Sequence, residues 1–134
     1  MIIMAIFFPV FLSVLPVPAI MIIFGFLWKK YPPKTINWIY GYRSSRAMKN
    51  ENTWRFANMY QAKIWRWTGS ILLVIVLIFS LLFKKNYEEI PYWIFYSELI
   101  FLILTIIPTE IALQNKFDKE GNLIDKNEDE KSTF

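Results

Sequence analysis

From Met1 to Trp28 the chain carries no charged side chain. A helix built from that run has no polar face to turn toward water, which leaves a buried or membrane-spanning position as its natural place. Ile71 to Phe83 repeats the pattern, apolar throughout except for Ser80. Crossing the hydrocarbon core of a bilayer takes about 20 predominantly apolar residues in a helix. Three stretches reach that length once their flanking aromatic residues are counted, namely 2–28, 64–83 and 90–113. In a chain of 134 residues, 55% of them hydrophobic, one domain is expected, covering 1–114 and followed by a tail at 115–134. The sequence therefore predicts an all-α membrane protein with three transmembrane helices.

The first stretch lacks the basic leader and the small-residue cleavage site of a secretory signal, so it is expected to be retained as a span. Pro9, Pro16 and Pro18 each remove a backbone donor. A kink or local unwinding near the middle of this span follows, with neighbouring helices satisfying the freed carbonyls. Orientation comes from the basic residues. Lys29, Lys30, Lys34, Arg43, Arg46, Lys49, Arg55, Lys63 and Arg66 lie between the first two spans against the single acid Glu51. That loop, 29–63 with the start of the second span, should be cytoplasmic. Lys84 and Lys85 alone mark the next connection, which places it outside, the N-terminus outside and the C-terminus inside. Trp28, Trp65, Trp67, Tyr87, Tyr92 and Trp93 then fall near the membrane interfaces. The net charge of +4 reads as a topology signal, and direct nucleic-acid binding is not expected, since that would need a soluble basic face.

Within the loop, Tyr31-Pro32-Pro33 ends the first helix, because a residue preceding proline is disfavoured in the helical region. Gly41 permits a turn that other residues resist. A helix restarts near Asn50 or Asn52, either of which can cap it. At 100° per residue, Arg55, Met59, Lys63 and Arg66 share one face, while Trp54, Ala57, Asn58, Gln61, Ile64, Trp65 and Thr68 share the other. This predicts an amphipathic cytoplasmic helix continuous with the second span, its basic face suited to the anionic headgroups of membrane lipids.

Chemistry is constrained by what the chain lacks. With no Cys and no His, disulfides, thiol nucleophiles, the usual zinc sites and imidazole bases are excluded. No Gly-rich phosphate loop occurs among four glycines, and no Ser–Lys or paired-carboxylate spacing points to catalysis. Neither cofactor nor metal is expected, and binding is a better reading than enzymatic turnover. Glu98 is the exception in character, because an ionisable group inside a span is costly enough to mark a functional candidate. Glu98, Thr105 and Thr109 lie along one face of the third span, and Asn58, Gln61 and Thr68 form a second polar stripe. The two stripes are expected to meet inside the bundle. Glu110, at the cytoplasmic end of its span, is expected to accept a bidentate pair from Arg43, whose planar guanidinium suits a carboxylate better than Lys would.

Several of these residues recur together in one known pattern. Tyr31-Pro32-Pro33-Lys34-Thr35-Ile36-Asn37, Gly41-Tyr42-Arg43-Ser44, Met48-Lys49-Asn50, Trp54, Ala57-Asn58 and Gly69 resemble the membrane domain of the SdpI family of bacterial immunity proteins. Thr109-Glu110, Phe117-Asp118 and Gly121 match the family's tail, so the resemblance covers nearly the whole chain. It implies protection of the cell membrane against a secreted, membrane-active peptide toxin by binding, and a cytoplasmic transcriptional repressor as a second partner. On that reading the candidate binding residues are Asn37, Gly41, Tyr42, Arg43, Trp54, Asn58, Gln61, Glu98 and Glu110. The alternative is a small membrane transporter or enzyme subunit that uses Glu98 and the broken first helix as an ion or substrate site. The segment from Asn115 onward, with six acids and four lysines, is too polar to bury much surface and is expected to be mobile, though Phe117 and the Asn122-Leu123-Ile124 turn can pack back toward the membrane.

Overall fold

The computed structural model describes residues 12–82 and 90–124. Residues 2–11 of the first expected span, including Pro9, the connection at 84–89 with Lys84, Lys85 and Tyr87, and the tail from 125 lie outside the described residues. Among the described residues there is no strand, and four helices are present: α1 (Pro16–Lys30), α2 (Glu51–Leu82), α3 (Ile90–Leu104) and α4 (Ile106–Lys116).

Each boundary has a local cause. Helical backbone at residues 12–14 is interrupted by a bend at Leu15, and α1 begins at Pro16. Pro16 and Pro18 remove the donors that would serve the carbonyls of Leu12 and Val14, and the helix restarts where Ala19 N–H reaches the Leu15 carbonyl at 3.1 Å. At its far end, Tyr31 precedes a proline and leaves the helical region at φ −129°, ψ 69°. Asn50, rather than Asn52, caps α2: its Oδ1 accepts from the N–H groups of Asn52 and Thr53, both at 3.0 Å. Thr53 returns the favour, its Oγ1 accepting from Asn50 N–H at 3.1 Å. This is the reciprocal logic of a capping box with a hydroxyl in place of the usual carboxylate.

From that cap, α2 runs without interruption for 32 residues, ~48 Å at 1.5 Å per residue, which exceeds a hydrocarbon core of roughly 30 Å. The expected continuity of the loop helix with the second apolar stretch is thus present as one helix. α3 and α4 form a column broken only at Thr105. Pro108 has no N–H for the Leu104 carbonyl and crowds it. Thr105 N–H is shared between the carbonyls of Phe101 (3.1 Å) and Leu102 (3.3 Å), and its hydroxyl donates to Leu102 O at 2.6 Å.

Among the described residues, two helical segments are long and apolar enough to cross a membrane: α2 and the column Tyr92–Lys116. Their apolar side chains face outward, the reverse of a soluble core helix: Ile71, Val74, Ile78 and Leu81 on α2, and Ile100, Ile103, Ile107 and Ile111 on the column, are exposed.

α2 is the centre of the bundle, and both neighbours run antiparallel to it. Against α1 the two helices approach closely at small residues. A Cβ on Gly69 would lie 2.9 Å from Met21 Cβ, and one on Gly25 2.9 Å from Arg66 N. Such contacts are how helices pack when apolar burial does not distinguish neighbour from lipid. Val17, Met21 and Leu72 are buried here, with Trp65, Phe95, Leu99 and Leu102 packed against them.

One expectation is corrected at this interface, that of Arg66. Trp28 turns inward: it is 6% exposed, stacked on Trp65 at 5.0 Å between centroids and meeting Tyr40 edge-on at 5.9 Å. A tryptophan at the end of an apolar run serves either position, and the neighbouring rings decide. Arg66 likewise leaves the outward basic face and donates to the Gly25 carbonyl at 2.8 Å, because Gly25 has no side chain to hold the guanidinium away.

Candidate functional site

The loop end of the bundle is closed by a polar network built around Gly41 and Tyr42. Asn37 starts it locally. Its Oδ1 accepts from Ile39 N–H (3.1 Å) and Tyr40 N–H (2.7 Å), while its amide donates to the Thr35 carbonyl at 3.0 Å. That side-chain turn, of the kind asparagine makes readily, reverses the chain toward the bundle. Gly41 then adopts φ +114°, a conformation side chains oppose. A Cβ there would also fall 2.5 Å from Asn58 Oδ1 and 3.2 Å from the Trp54 ring.

The tight approach delivers Tyr42 to α2. Its N–H donates to Asn58 Oδ1 at 2.5 Å, and the Asn58 amide donates in turn to the Trp54 carbonyl at 2.9 Å. Trp54, fully buried, uses its indole N–H on the Pro33 carbonyl at 3.0 Å. The two prolines that end α1 are thereby fastened to the first turn of α2. On the other side, the Tyr42 hydroxyl donates to Glu110 Oε1 at 2.5 Å. Burial, reinforced by this bond to a carboxylate, holds the Tyr42 hydroxyl above the ordinary tyrosine range. Tyr42 therefore spans the loop, α2 and α4.

The expected Arg43–Glu110 pair does not form. Arg43 turns outward and donates to the Trp38 carbonyl, while the neighbouring phenol occupies the carboxylate. Successive residues in an extended segment point in opposite directions, so only one of Tyr42 and Arg43 is able to face α4, and the apolar ring is the one buried, against Ala47, Ala57, Leu113 and Phe117.

One turn further into the bundle the polar stripes do meet. Gln61 Nε2 donates to Thr105 Oγ1 at 3.2 Å, and Thr109 Oγ1 donates to Gln61 Oε1. Trp65 adds a bond to Thr105 Oγ1 at 3.0 Å. Two expected members are spent elsewhere: Asn58 on Tyr42, and Thr68 on its own helix, donating to the Ile64 carbonyl at 2.7 Å. Glu98 stands apart. It is 1% exposed, and neither carboxylate oxygen has a hydrogen-bond partner.

A second contact between loop and tail was not anticipated as a unit. Asn50 Nδ2 donates to the Gly121 carbonyl at 2.8 Å, and Thr53 Oγ1 donates to the Ala47 carbonyl at 3.1 Å. Residues 116–124 close a turn, with Phe117 and the Asn122-Leu123-Ile124 segment packed back as the sequence allowed. Asp118 N–H pairs with Asn122 O at 2.9 Å and Ile124 N–H with Lys116 O at 3.0 Å. Buried Phe117 (5% exposed) anchors it, and N–H groups of residues 120 and 122 on the Asp118 carboxylate hold that group below its ordinary range. The sequence did carry signals for this: a Thr at the third helical position after an Asn cap, and an Asp three residues before a Gly.

Among the described residues no group of three metal-ligating side chains converges. The arrangement is a satisfied polar cap over a bundle, with one isolated buried carboxylate deeper in.

Residues 34–111, more than half of the chain, match the SdpI/YfhL protein family. One curated relative is the uncharacterized protein YfhL of Bacillus subtilis (strain 168), 43% identical over 53 residues, which cover 40% of this chain and 48% of that protein. The chain thus spans about half the length of the relative it matches. No solved structure matches it. The matched segment begins just after the prolines held by Trp54 and ends just after Glu110, so it contains the whole Asn37–Tyr42–Asn58–Glu110 network, and the chain belongs to the SdpI/YfhL protein family.

Proposed function

We propose that this protein is a three-span membrane protein, N-terminus outside and C-terminus cytoplasmic, that protects its cell against a membrane-active peptide by binding it. Family membership with outward apolar helices supports the membrane setting, and nine basic residues between the first two apolar stretches against one acid support the orientation. The observation that carries the binding reading is the loop cap. Its buried residues tie the loop to α2 and α4 beneath the exposed side chains of Ile36, Trp38 and Ile39, and among the described residues it contains no catalytic constellation.

Survival is the readout. A toxin-sensitive bacterium expressing the chain is challenged with a secreted membrane-active killing peptide, and protection relative to an empty vector is expected. No protection at full membrane abundance rejects the reading for that peptide. Orientation is checked separately. Because the chain has no cysteine, a single cysteine at Ser45 should react with an impermeant thiol reagent only after the cells are opened; reaction on intact cells reverses the topology.

A second reading rests on Glu98, a buried carboxylate with both oxygens unpartnered. Such a group inside a span is a candidate proton or cation site, and the bend at Leu15 lies in the helix packed nearby. In a transporter, Glu98→Gln abolishes ion or substrate flux in proteoliposomes while leaving insertion unchanged. Protection that survives Glu98→Gln assigns the immunity role to the loop cap instead.

A further inference from the structure

On the outer face of α2, opposite the network around Asn58, a groove of about 490 Å³ runs between that helix and the C-terminal turn. Three cations line it, Arg55, Lys63 and Lys116, and no carboxylate does. Among the described residues none of the three forms an ion pair or a side-chain hydrogen bond to a protein acceptor. The floor is aromatic: Phe56 packs at 5.7 Å on Tyr60 and at 5.6 Å on Phe117. Lys116 Nζ lies over the Phe56 ring at 4.4 Å, which fixes its ammonium at the groove wall. Met59 and Leu123, 55% and 63% exposed, extend the apolar surface to the open side.

We propose that this groove is a binding site for one anionic phospholipid. The proposal rests on the membrane reading given above. If about 20 residues of α2 cross the hydrocarbon core, counting back from Leu82 puts Lys63 at its boundary and Arg55 ~12 Å beyond it. Lys116 closes the other spanning column at the same end. The groove then crosses the headgroup layer, with Lys63 at the glycerol level, Tyr60, Met59 and Phe56 ~4 to ~10 Å further out and Arg55 just beyond them. Charge complementarity selects the occupant. Three unpaired cations around an apolar floor match an anionic headgroup attached to a chain, whereas a zwitterionic lipid brings its choline cation against them and gains only through that group's contact with the aromatic floor.

The test uses the full chain purified in detergent. Binding of phosphatidylglycerol and of phosphatidylcholine with identical acyl chains is compared by native mass spectrometry, beside a Lys63→Gln/Lys116→Gln variant. A Lys29→Gln/Lys34→Gln variant keeps the same net charge loss outside the groove, and Lys116→Arg preserves the charge inside it. Tighter binding of phosphatidylglycerol is expected, with the groove variant weakened roughly thirtyfold, and with the loop variant and Lys116→Arg close to the parent. Equal binding of the two lipids, or equal loss in the loop and groove variants, overturns the site in favour of diffuse attraction. Preference for an acidic peptide over phosphatidylglycerol overturns it as well. Unchanged melting of each variant in lipid-free detergent keeps misfolding out of the comparison, and recovery of the parent outside the membrane fraction would reject the membrane reading instead.

Discussion

Glu98 and Glu110 stand about three turns apart on the same helical column, and the bundle treats them in opposite ways. Glu110, at the loop end, has a dedicated donor in Tyr42, delivered by a glycine turn and held by Asn58. Glu98, deeper in, is more completely buried and has no donor among the described residues. A folded chain supplies partners for buried polar groups wherever stability is all that is at stake. The contrast separates a carboxylate that ties the structure together from one that makes no bond to it, as Trp28 Nε1 also makes none.

The comparison is broken most forcefully at the turn that creates it. Gly41→Ala forces a side chain into φ +114° and onto Asn58, and should cost about 3 kcal/mol or more, read from unfolding followed by tryptophan fluorescence in detergent. A loss below ~1 kcal/mol means the loop relaxes without penalty and the cap is not a rigid unit.

Tyr42→Phe keeps the ring but takes the donor from Glu110, with an expected loss of about 2 kcal/mol. Its pH dependence carries a sign. The folded state holds the Tyr42 hydroxyl above its ordinary 10.0, so it binds that proton more tightly than the unfolded chain does. The stabilisation is complete below pH 10 and is lost as pH rises through the folded value. The advantage of the parent over Tyr42→Phe should therefore be constant from pH 6 to about pH 9 and shrink above pH 10; a constant advantage to pH 11 contradicts the assignment.

Gln61→Leu sits between the two carboxylates and tests whether the inner stripe is glue. Two interhelical bonds at about 0.6 kcal/mol each predict a loss near 1 kcal/mol by the same unfolding assay. The smallest effect is expected at Glu98, and with the opposite sign. Removing a buried polar group that has no partner, in Glu98→Leu, should raise stability by about 1 kcal/mol. A destabilised variant would mean that Glu98 is bonded after all, and the contrast with Glu110 would fall.

Much of the architecture was legible in the chain because membrane helices are written in long apolar runs and proline or asparagine boundaries. The break before Pro16, the stop before Pro32 and the continuity of α2 follow from local rules, while the choice of Asn50 over Asn52 as the cap is made by the structure. Helical spacing groups the two polar stripes, and they meet through Gln61, Thr105 and Thr109, while Asn58, Thr68 and Glu98 do not join them. Arg43 was misassigned because spacing says which residues reach a helix end but not which of two adjacent side chains points inward. That choice is made by burial, and it went to the phenol. Arg66 differs from its expected outward position for a related reason: helical spacing places it on the basic face, and only the close approach at Gly25 draws it into the bundle. The Asn50–Gly121 tie was hidden by its sequence distance, which no periodicity bridges.

Tyr42 and Glu110 act as one tie between loop and bundle. A double-mutant cycle tests this most directly, comparing Tyr42→Phe, Glu110→Gln and the pair by unfolding in one detergent at pH 7. Non-additivity of about 1 kcal/mol or more, with the double variant scarcely worse than either single one, is the predicted result. Losses that simply add would show that the two side chains do not sense each other, and would contradict the tie on which the loop cap is built.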